Sequence, residues 1–144
     1  MFLTKECDYG IRVIRALANY QKKTVEEISD AEHIPHQYAY KILKKLERVG
    51  FVQSLRGRDG GYQLAKPLYT FTLYDVVSAV DENLFLFECL RGSKLCPLNN
   101  LEKPCAVHLE FERIQELLVS EMRSKTMDEV LSDVHGNKEA THLL

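Results

Sequence analysis

Four residues with soft sulfur or nitrogen donors lie within twenty positions of one another: Cys89, Cys96, Cys105 and His108. Thiolates grouped with an imidazole hold iron–sulfur clusters or zinc ions in proteins. The residues between them are rich in glycine, proline and asparagine, which favour turns, so the donors are predicted to lie on a loop. The spacing therefore predicts a metal or cluster site between residues 89 and 108.

Other uses of these cysteines stay open at this point. A free cysteine is often a small buried hydrophobic residue, and four cysteines allow two disulfides. The sequence has no apolar segment at its start and no run long enough to span a membrane, so we expect a cytoplasmic protein, where disulfides are rare. A thiol-redox enzyme or cluster carrier is disfavoured, because there is no Cys-x-x-Cys pair and no nucleophile beside an evident base.

Charge is distributed unevenly along this chain of 144 residues, whose formal net charge is −2. Residues 1–80 carry twelve Lys and Arg against nine Asp and Glu (+3), whereas residues 81–144 carry seven against twelve (−5). Seven basic and two acidic residues lie between Lys41 and Lys66. Local positive charge is typical of a protein that binds the phosphate backbone of a nucleic acid, although a solvated basic helix face has the same composition.

The first fifty residues predict three helices. Thr4 is placed to cap the first, which runs to about residue 20, and a capping box of Thr24 and Glu27 begins the second. The inward positions of the second helix are predicted to be Ile28 and Ala31.

The third helix is rich in lysine. Pro35 suits its first turn and Gly50 its end. Two short helices, a tight turn and a third helix of this kind form a helix-turn-helix pattern. The predicted buried side of the third helix consists of Tyr38, Ile42, Leu43 and Leu46.

A hairpin follows the third helix. Residues 51–56 alternate like a strand, Asp59 and Gly60 form a tight-turn dipeptide, and residues 62–65 predict the returning strand. Arg56 and Arg58 place positive charge at the tip. A basic hairpin directly after a recognition helix is a wing, so the sequence predicts a mainly α fold, a winged helix-turn-helix of three helices plus a two-stranded wing.

Further helices are predicted on either side of the cysteine loop. Thr72 and Asp75 begin a short helix, and Thr126 and Glu129 begin a last one. Between them, a long helix starts near residue 106 and carries an apolar stripe on an otherwise charged surface. The pattern alone fits packing on a partner chain, as a dimerisation helix, and packing on the same domain equally well. The stripe consists of Val107, Phe111, Ile114, Leu118 and Met122.

Together these stretches resemble the Rrf-two family of bacterial winged-helix transcription regulators, which includes IscR-like and NsrR-like proteins. The resemblance begins at Leu3-Thr4-Lys5, Asp8-Tyr9-Gly10 and Arg12, and includes the wing sequence LRGRDGGYQLA at residues 55–65. It continues through VVSAVDE at residues 76–82 and the three cysteines of the loop, and extends to residue 133. The wing and the three cysteines in this order are specific to the family.

The resemblance implies a ligand set. In cluster-bearing members the three loop cysteines bind an iron–sulfur cluster, and the fourth ligand differs between members. His108 matches the histidine of IscR-like proteins, whereas Asp8 matches an aspartate that NsrR-like proteins supply from the first helix of the partner subunit; Cys7, beside it, is a third candidate. His108 and a [2Fe-2S] cluster are favoured, with [4Fe-4S] as the alternative. The gap between Cys96 and Cys105 is longer than is usual in the family, which bears on the cluster type.

The resemblance also implies a homodimer that binds a palindromic operator in double-stranded DNA. The function it indicates is a transcription regulator, and a repressor is the favoured interpretation. Its cluster would sense iron, redox state or nitric oxide. The alternative is a winged-helix regulator with a structural zinc site and no cluster; neither is an enzyme. Arg56 matches the position that enters a minor groove, and the lysines suit phosphate contacts. The DNA-binding candidates are His36, Gln37, Tyr40, Lys41, Lys44, Lys45, Arg56 and Arg58.

The predicted organisation has three parts. Residues 1–82 form the winged helix-turn-helix, residues 83–133 form the cluster-binding loop and the dimerisation helix, and residues 134–144 form a flexible tail. His135 and His142 fall in that tail and receive no role.

Overall fold

The computed structural model describes residues 3–92, 96–100 and 102–132; the predicted tail lies outside these residues. Its described part contains six α-helices and a two-stranded antiparallel sheet, which confirms the predicted mainly helical fold with a wing. Short 3₁₀ turns occur at Leu68–Thr70 and Glu88–Arg91. The main elements are α1 (Lys5–Ala16), α2 (Val25–Glu32), α3 (His36–Arg48), β1 (Val52–Leu55), β2 (Gly61–Leu64), α4 (Leu73–Val80), α5 (Ala106–Arg123) and α6 (Met127–Ser132).

Three of the predicted helix starts have the expected local chemistry. Thr24 and Glu27 form a reciprocal capping box at α2, and Thr72 and Asp75 form another at α4. The N–H of Glu129 donates to the hydroxyl of Thr126 at 3.3 Å, while the carboxylate of Glu129 accepts from the N–H of Thr126 at 2.7 Å. These boxes satisfy N–H groups that have no partner inside the helix.

The first helix departs from its prediction at both ends. Thr4 lies at the N-cap but makes no side-chain capping bond; its hydroxyl donates instead to Asp81 Oδ2, 3.0 Å away beyond the end of α4. The helix also ends at Ala16 rather than near residue 20, where Tyr20 adopts a φ of 59°. The Tyr20 hydroxyl accepts from the N–H of Leu68 at 3.0 Å. Tertiary partners have displaced the local pattern in both places.

The core lies between α1, α2, α3 and α4, which together with the wing we call the head. Helices α1 and α4 approach closely at Gly10, where a Cβ atom would lie 3.1 and 3.2 Å from the two methyl groups of Val80. Met127 of α6 is fully buried in the same core, so the chain returns to the head after α5. The largest fully buried side chains include Ile14, Leu17, Ile28, Ile42, Leu43, Leu46, Val76 and Val77.

Two predicted core positions are wrong. Ala31 is exposed, and Glu32 takes the inward place on α2, where its carboxylate is paired with Arg15. The partner makes this burial tolerable, because a buried carboxylate without one is costly. Tyr38 is 40% exposed and lies at the edge of α3, with its ring centroid 5.8 Å from that of Tyr9.

The wing follows the predicted hairpin. Strands β1 and β2 pair from Val52 with Leu64 to Leu55 with Gly61. Lys23 and Tyr62 exchange two backbone hydrogen bonds of 2.9 and 2.8 Å, which fixes the wing to the segment before α2. This close approach requires glycine at position 61, since a Cβ there would lie 2.8 Å from the carbonyl oxygen of Lys23.

The long helix α5 has eighteen residues and buries none of them completely. Two members of its predicted stripe, Leu118 and Met122, pack partly against the core of their own chain. By contrast, Val107, Ile114 and Leu117 are 59%, 40% and 57% exposed. The helix therefore has one apolar side covered by its own chain and a second apolar strip open to solvent.

Candidate functional site

The predicted DNA-reading side of α3 faces away from the core. Ala39, Ile42, Leu43 and Leu46 point inward, and the side chains between them point to solvent. His36 Nε2 lies 3.0 Å from Glu26 Oε1 at the start of this helix. The exposed face contains Gln37, Tyr40, Lys41 and Lys44.

Lys45 differs from the other predicted contacts because it is only 26% exposed. Its Nζ donates to Glu6 Oε2 and to the carbonyl oxygen of Val80, both at 2.5 Å. Lys41 Nζ lies 2.5 Å from the other oxygen of Glu6. Hydrogen bonds from Lys41 first, and then Lys45, lower the pKa of Glu6. Lys45 thus ties α3 to α1 and to the carboxyl end of α4, so it is less available to DNA than the other candidates of α3, and its contact with DNA stays a prediction.

Lys44 connects α3 with the wing through Glu47. Its Nζ lies 2.8 Å from Glu47 Oε2 and stands 5.7 and 5.8 Å from the ring centroids of Tyr40 and Tyr62. Glu47 Oε1 accepts hydrogen bonds from both the N–H and the hydroxyl of Ser54, at 3.1 and 2.5 Å. Glu47 is not among the residues predicted from the sequence; its spacing of three from Lys44 was a visible signal, whereas the contact with the strand was not.

The wing tip presents its two arginines to solvent. Arg56 and Arg58 are both exposed on the segment between β1 and β2. The tip is held from behind, because Lys22 Nζ donates to the carbonyl oxygen of Asp59. Exposed guanidinium groups on a supported hairpin are well placed to meet a nucleic-acid groove.

All four cysteines are free thiols, and three of them lie at the predicted loop. Cys89 falls in the 3₁₀ turn, and Cys105 is the N-cap of α5. Cys7 is 1% exposed within the core, so it packs as a hydrophobic residue. Asp8 is exposed and forms a two-point ion pair with Arg12, with both contacts at 3.0 Å.

Two asparagines organise the loop. The N–H of Cys105 donates to Asn99 Oδ1 at 2.8 Å, which satisfies a donor at the start of α5. Asn100 Oδ1 accepts from the N–H groups of Glu102 and Lys103, at 3.1 and 2.8 Å. The sequence marked these asparagines only as turn formers, and their specific partners emerge from the structure.

The beginning of the loop is attached to the same helix as its end. The N–H of Leu86 donates to Gln115 Oε1 at 2.9 Å. Phe87 stacks on Phe111 with ring centroids 3.7 Å apart and ring planes 13° apart. The residues just before Cys89 are therefore fixed on α5, the helix that begins after Cys105.

The donors of this loop have the chemistry of a metal site without its assembled geometry. Among the described residues, no three His, Cys, Asp or Glu side chains lie close enough together to hold a metal ion. His108 nevertheless keeps Nδ1 buried with no hydrogen-bond partner in the described part of the chain, which is unusual for a buried polar atom. His108 also lines an open cavity of about 670 Å³ beside Asn99 and Pro104. The residue types fit an iron–sulfur cluster or zinc.

Residues 3–133 match the protein family described as "Rrf2: Iron-dependent Transcriptional regulator". The chain belongs to the Rrf2 family of transcriptional regulators. It is 29% identical to protein aau3 of Rhizobium meliloti, across 91% of this chain and 85% of that protein. It is 31% identical to the HTH-type transcriptional regulator NsrR of Shouchella clausii, across 69% of each chain.

A solved structure supports the fold assignment. The structure of T. potens IscR superposes with a TM-score of 0.72 at 18% identity, covering 92% of this chain and 88% of that one. The family match makes this Rrf2 protein a transcriptional regulator rather than an enzyme. No helix among its described residues is long and apolar enough to cross a membrane.

Proposed function

We propose that this Rrf2 protein is a cytoplasmic, dimeric repressor whose affinity for a palindromic operator is set by an iron–sulfur cluster. Cys89, Cys96, Cys105 and His108 would hold the cluster. The observation that carries this proposal is the buried Nδ1 of His108, which lacks a hydrogen-bond partner in the described residues. Coordination would satisfy that nitrogen, and thiolates together with imidazole serve as ligands of iron–sulfur clusters and of zinc.

The head supplies the DNA-binding half of the proposal. Helix α3 exposes Gln37, Tyr40 and Lys44, and the wing exposes Arg56. A helix of this kind enters the major groove, while an arginine on a wing suits the negative potential of a narrow minor groove. The acidic C-terminal half would face away from the DNA.

The open strip on α5 supports a dimer. Val107, Ile114 and Leu117 are exposed apolar residues on a helix that otherwise carries many charges. A second copy that packs the same strip against this one would form a symmetric interface and present two heads to a palindrome. We therefore retain the predicted dimer helix, with Leu117 added to the strip and Leu118 and Met122 assigned mainly to the chain's own core.

The attachment of the loop to α5 suggests how the site controls DNA binding. A bound cluster would supply a centre that can change oxidation state or be lost. Because Phe87, Gln115 and Cys105 connect both ends of the loop to α5, gathering or releasing the donors would shift this helix. A shift at the dimer helix changes the spacing of the two heads, which alters operator affinity.

Anaerobic purification from iron-replete cells tests the proposal. We expect a coloured protein with iron and sulfide in stoichiometric amounts, and we expect Cys89→Ala, Cys96→Ala and Cys105→Ala each to abolish the chromophore. Cys7→Ala is the matched control and should retain the colour, because Cys7 is buried in the core. A colourless protein with one zinc per chain would contradict the cluster and favour the alternative, a regulator with a structural zinc site.

A further inference from the structure

The carboxylate of Glu47 joins the two parts of the molecule that are proposed to touch DNA. One oxygen lies 2.8 Å from Lys44 Nζ on the same helix. The other accepts from the N–H of Ser54 at 3.1 Å and from its hydroxyl at 2.5 Å, and Ser54 belongs to the first strand of the wing. Three donors from two elements thus converge on one side chain. Glu47 is 28% exposed and its partners Lys44 and Ser54 are exposed, so these bonds lie at the protein surface.

The position of this contact gives it consequences for recognition. Ser54 lies two residues before Arg56, so a contact that holds Ser54 against α3 also fixes the position of the backbone that carries Arg56. Lys44 lies on the exposed face of α3, with its Nζ 5.7 and 5.8 Å from the ring centroids of Tyr40 and Tyr62. Charge-assisted hydrogen bonds of this kind are stronger and more directional than neutral ones.

The ion pair also affects how Lys44 can meet DNA. A lysine that is held by a carboxylate must exchange that partner for a phosphate, whereas a free lysine binds any phosphate backbone. Non-specific affinity comes almost entirely from such phosphate contacts. An internal carboxylate at this place therefore weakens binding to every sequence and leaves a larger share of the affinity to base and groove contacts.

We propose that Glu47 is a positioning residue for operator recognition: it fixes the wing, and hence Arg56, relative to α3, and it restrains Lys44 from indiscriminate phosphate binding. This inference rests on the proposed DNA-binding function. The carboxylate of Glu47 would have two separable tasks. The bonds from Ser54 need only an acceptor oxygen, whereas the restraint of Lys44 needs the negative charge.

The test compares two substitutions of Glu47 in the full-length dimer. The probes are the duplex enriched by wild-type protein from a randomised library and a scrambled duplex of equal length. Glu47→Ala removes both tasks, so we expect the preference between the duplexes to fall about tenfold, the size of one good groove contact. Arg56→Ala should then cost little more in the Glu47→Ala background, because the arginine is already misplaced.

Glu47→Gln separates the tasks. Its amide oxygen still accepts from Ser54, so we expect the preference to be restored to near the wild-type value. The lost charge frees Lys44, so the affinity for both duplexes should rise and the slope of log affinity against log salt should steepen by about one. Glu6→Gln is the matched control, because Glu6 also pairs with lysines of α3, Lys41 and Lys45, but joins that helix to α1 rather than to the wing. In that background the effect of Arg56→Ala should remain full.

The possible outcomes distinguish failure of the role of Glu47 from failure of the proposed DNA-binding function. A wild type that binds both duplexes equally overturns the DNA-recognition function and Glu47's role with it. A wild type that discriminates, together with a Glu47→Ala protein that discriminates equally well, overturns the role of Glu47 alone. Thermal unfolding of each variant is recorded in parallel. If Glu47→Ala and Glu47→Gln both lose the preference between the two duplexes and lose stability equally, Glu47 has only a structural role.

Discussion

The head and the C-terminal region of this Rrf2 protein are built in opposite ways. In the head, α1, α3 and α4 each bury an apolar side, on which side chains such as Ile14, Leu43 and Val77 are fully covered. In the C-terminal region, the eighteen-residue helix α5 buries no residue completely and leaves an apolar strip in solvent. The head is complete as a single chain, whereas α5 has a surface that a second chain can complete.

The same contrast holds for polar groups. The capping boxes of the head satisfy their helix ends within a few residues of sequence. In the cysteine loop, asparagines satisfy the backbone, but the buried ring nitrogen of His108 has no partner among the described residues. A region that binds a ligand or a partner keeps donors and surfaces open, and it gives up stability as a single chain in return.

The largest expected effect on stability comes from shortening a buried side chain of the head. Leu46 is fully buried, so Leu46→Ala should lower the free energy of unfolding by about 2–5 kcal/mol. Leu117→Ala removes the same atoms from α5, where the side chain is 57% exposed, and should change monomer stability by less than about 0.5 kcal/mol. Urea unfolding of both variants at low protein concentration measures the difference. Equal losses would mean that the two regions form one uniformly packed unit.

A charge on the open strip should separate chains without unfolding them. Ile114→Glu would place a carboxylate at the proposed interface and cost about 3 kcal/mol of dimer stability or more. Because Ile114 is 40% exposed in the single chain, the head should keep its circular dichroism spectrum and its urea midpoint. Sedimentation velocity gives the mass. A dimer of unchanged affinity would show that this strip faces elsewhere.

The two candidate fourth ligands can be ranked by spectroscopy. His108→Ala should alter the visible spectrum of the anaerobic protein and speed cluster loss by at least about tenfold, since it removes a metal–ligand bond. Asp8→Ala should change little, because Asp8 is already paired with Arg12 on α1. The reverse ranking would assign a ligand from the partner's first helix and place the cluster between subunits.

On the DNA side, the wing and the recognition helix should contribute differently. Arg56→Ala should weaken operator binding by about 1–3 kcal/mol and reduce the preference over a scrambled duplex. Arg58→Ala should have a smaller effect. Lys44→Ala should instead weaken both duplexes alike and lower the salt slope by well under one unit, because Glu47 already restrains this lysine in wild type. Fluorescence anisotropy titrations at several salt concentrations resolve the three patterns, and an Arg56→Ala protein with unchanged affinity and preference would refute the wing model.

The smallest expected effect is a pH dependence within the head. Hydrogen bonds from Lys44, and then from Ser54, hold the pKa of Glu47 below its ordinary value of 4.5. Its contribution to stability is therefore fully present above about pH 4.5 and is lost as the pH falls through the lower, folded-state pKa. At neutral pH the free energy of unfolding of wild type should exceed that of Glu47→Gln by less than about 1 kcal/mol. Urea unfolding should show this difference shrinking under acid conditions; a difference that grows there would reverse the assigned pKa shift.

Local sequence signals predicted the elements of the head well. Capping boxes at Thr24 and Thr72 act over a few residues, and so does the wing turn, which Gly60 closes on Gly57 one residue earlier than the predicted Asp59-Gly60 dipeptide. The errors occur where a distant group intervenes. Thr4 bonds to Asp81 instead of capping α1, and Glu32 is buried because Arg15 reaches it from another helix.

The candidate sites show the same limit. Residue types alone pointed to the loop cysteines and His108, because few tasks require three thiols and an imidazole at close spacing. The sequence could not place Lys45 beside Glu6 and Val80, nor Glu47 beside Ser54, since these partners meet only after the helices and the wing have packed.

By itself, the sequence determined the winged helix-turn-helix and the basic wing and named the candidate donors of the loop, because helix caps, turns and ligand chemistry depend on neighbouring residues. Only the tertiary structure decided which lysines of α3 are paired, which side of α5 is left open, and that both ends of the cysteine loop are attached to that helix. Those features depend on contacts between residues far apart in the chain, whose partners are chosen by packing and burial rather than by local pattern.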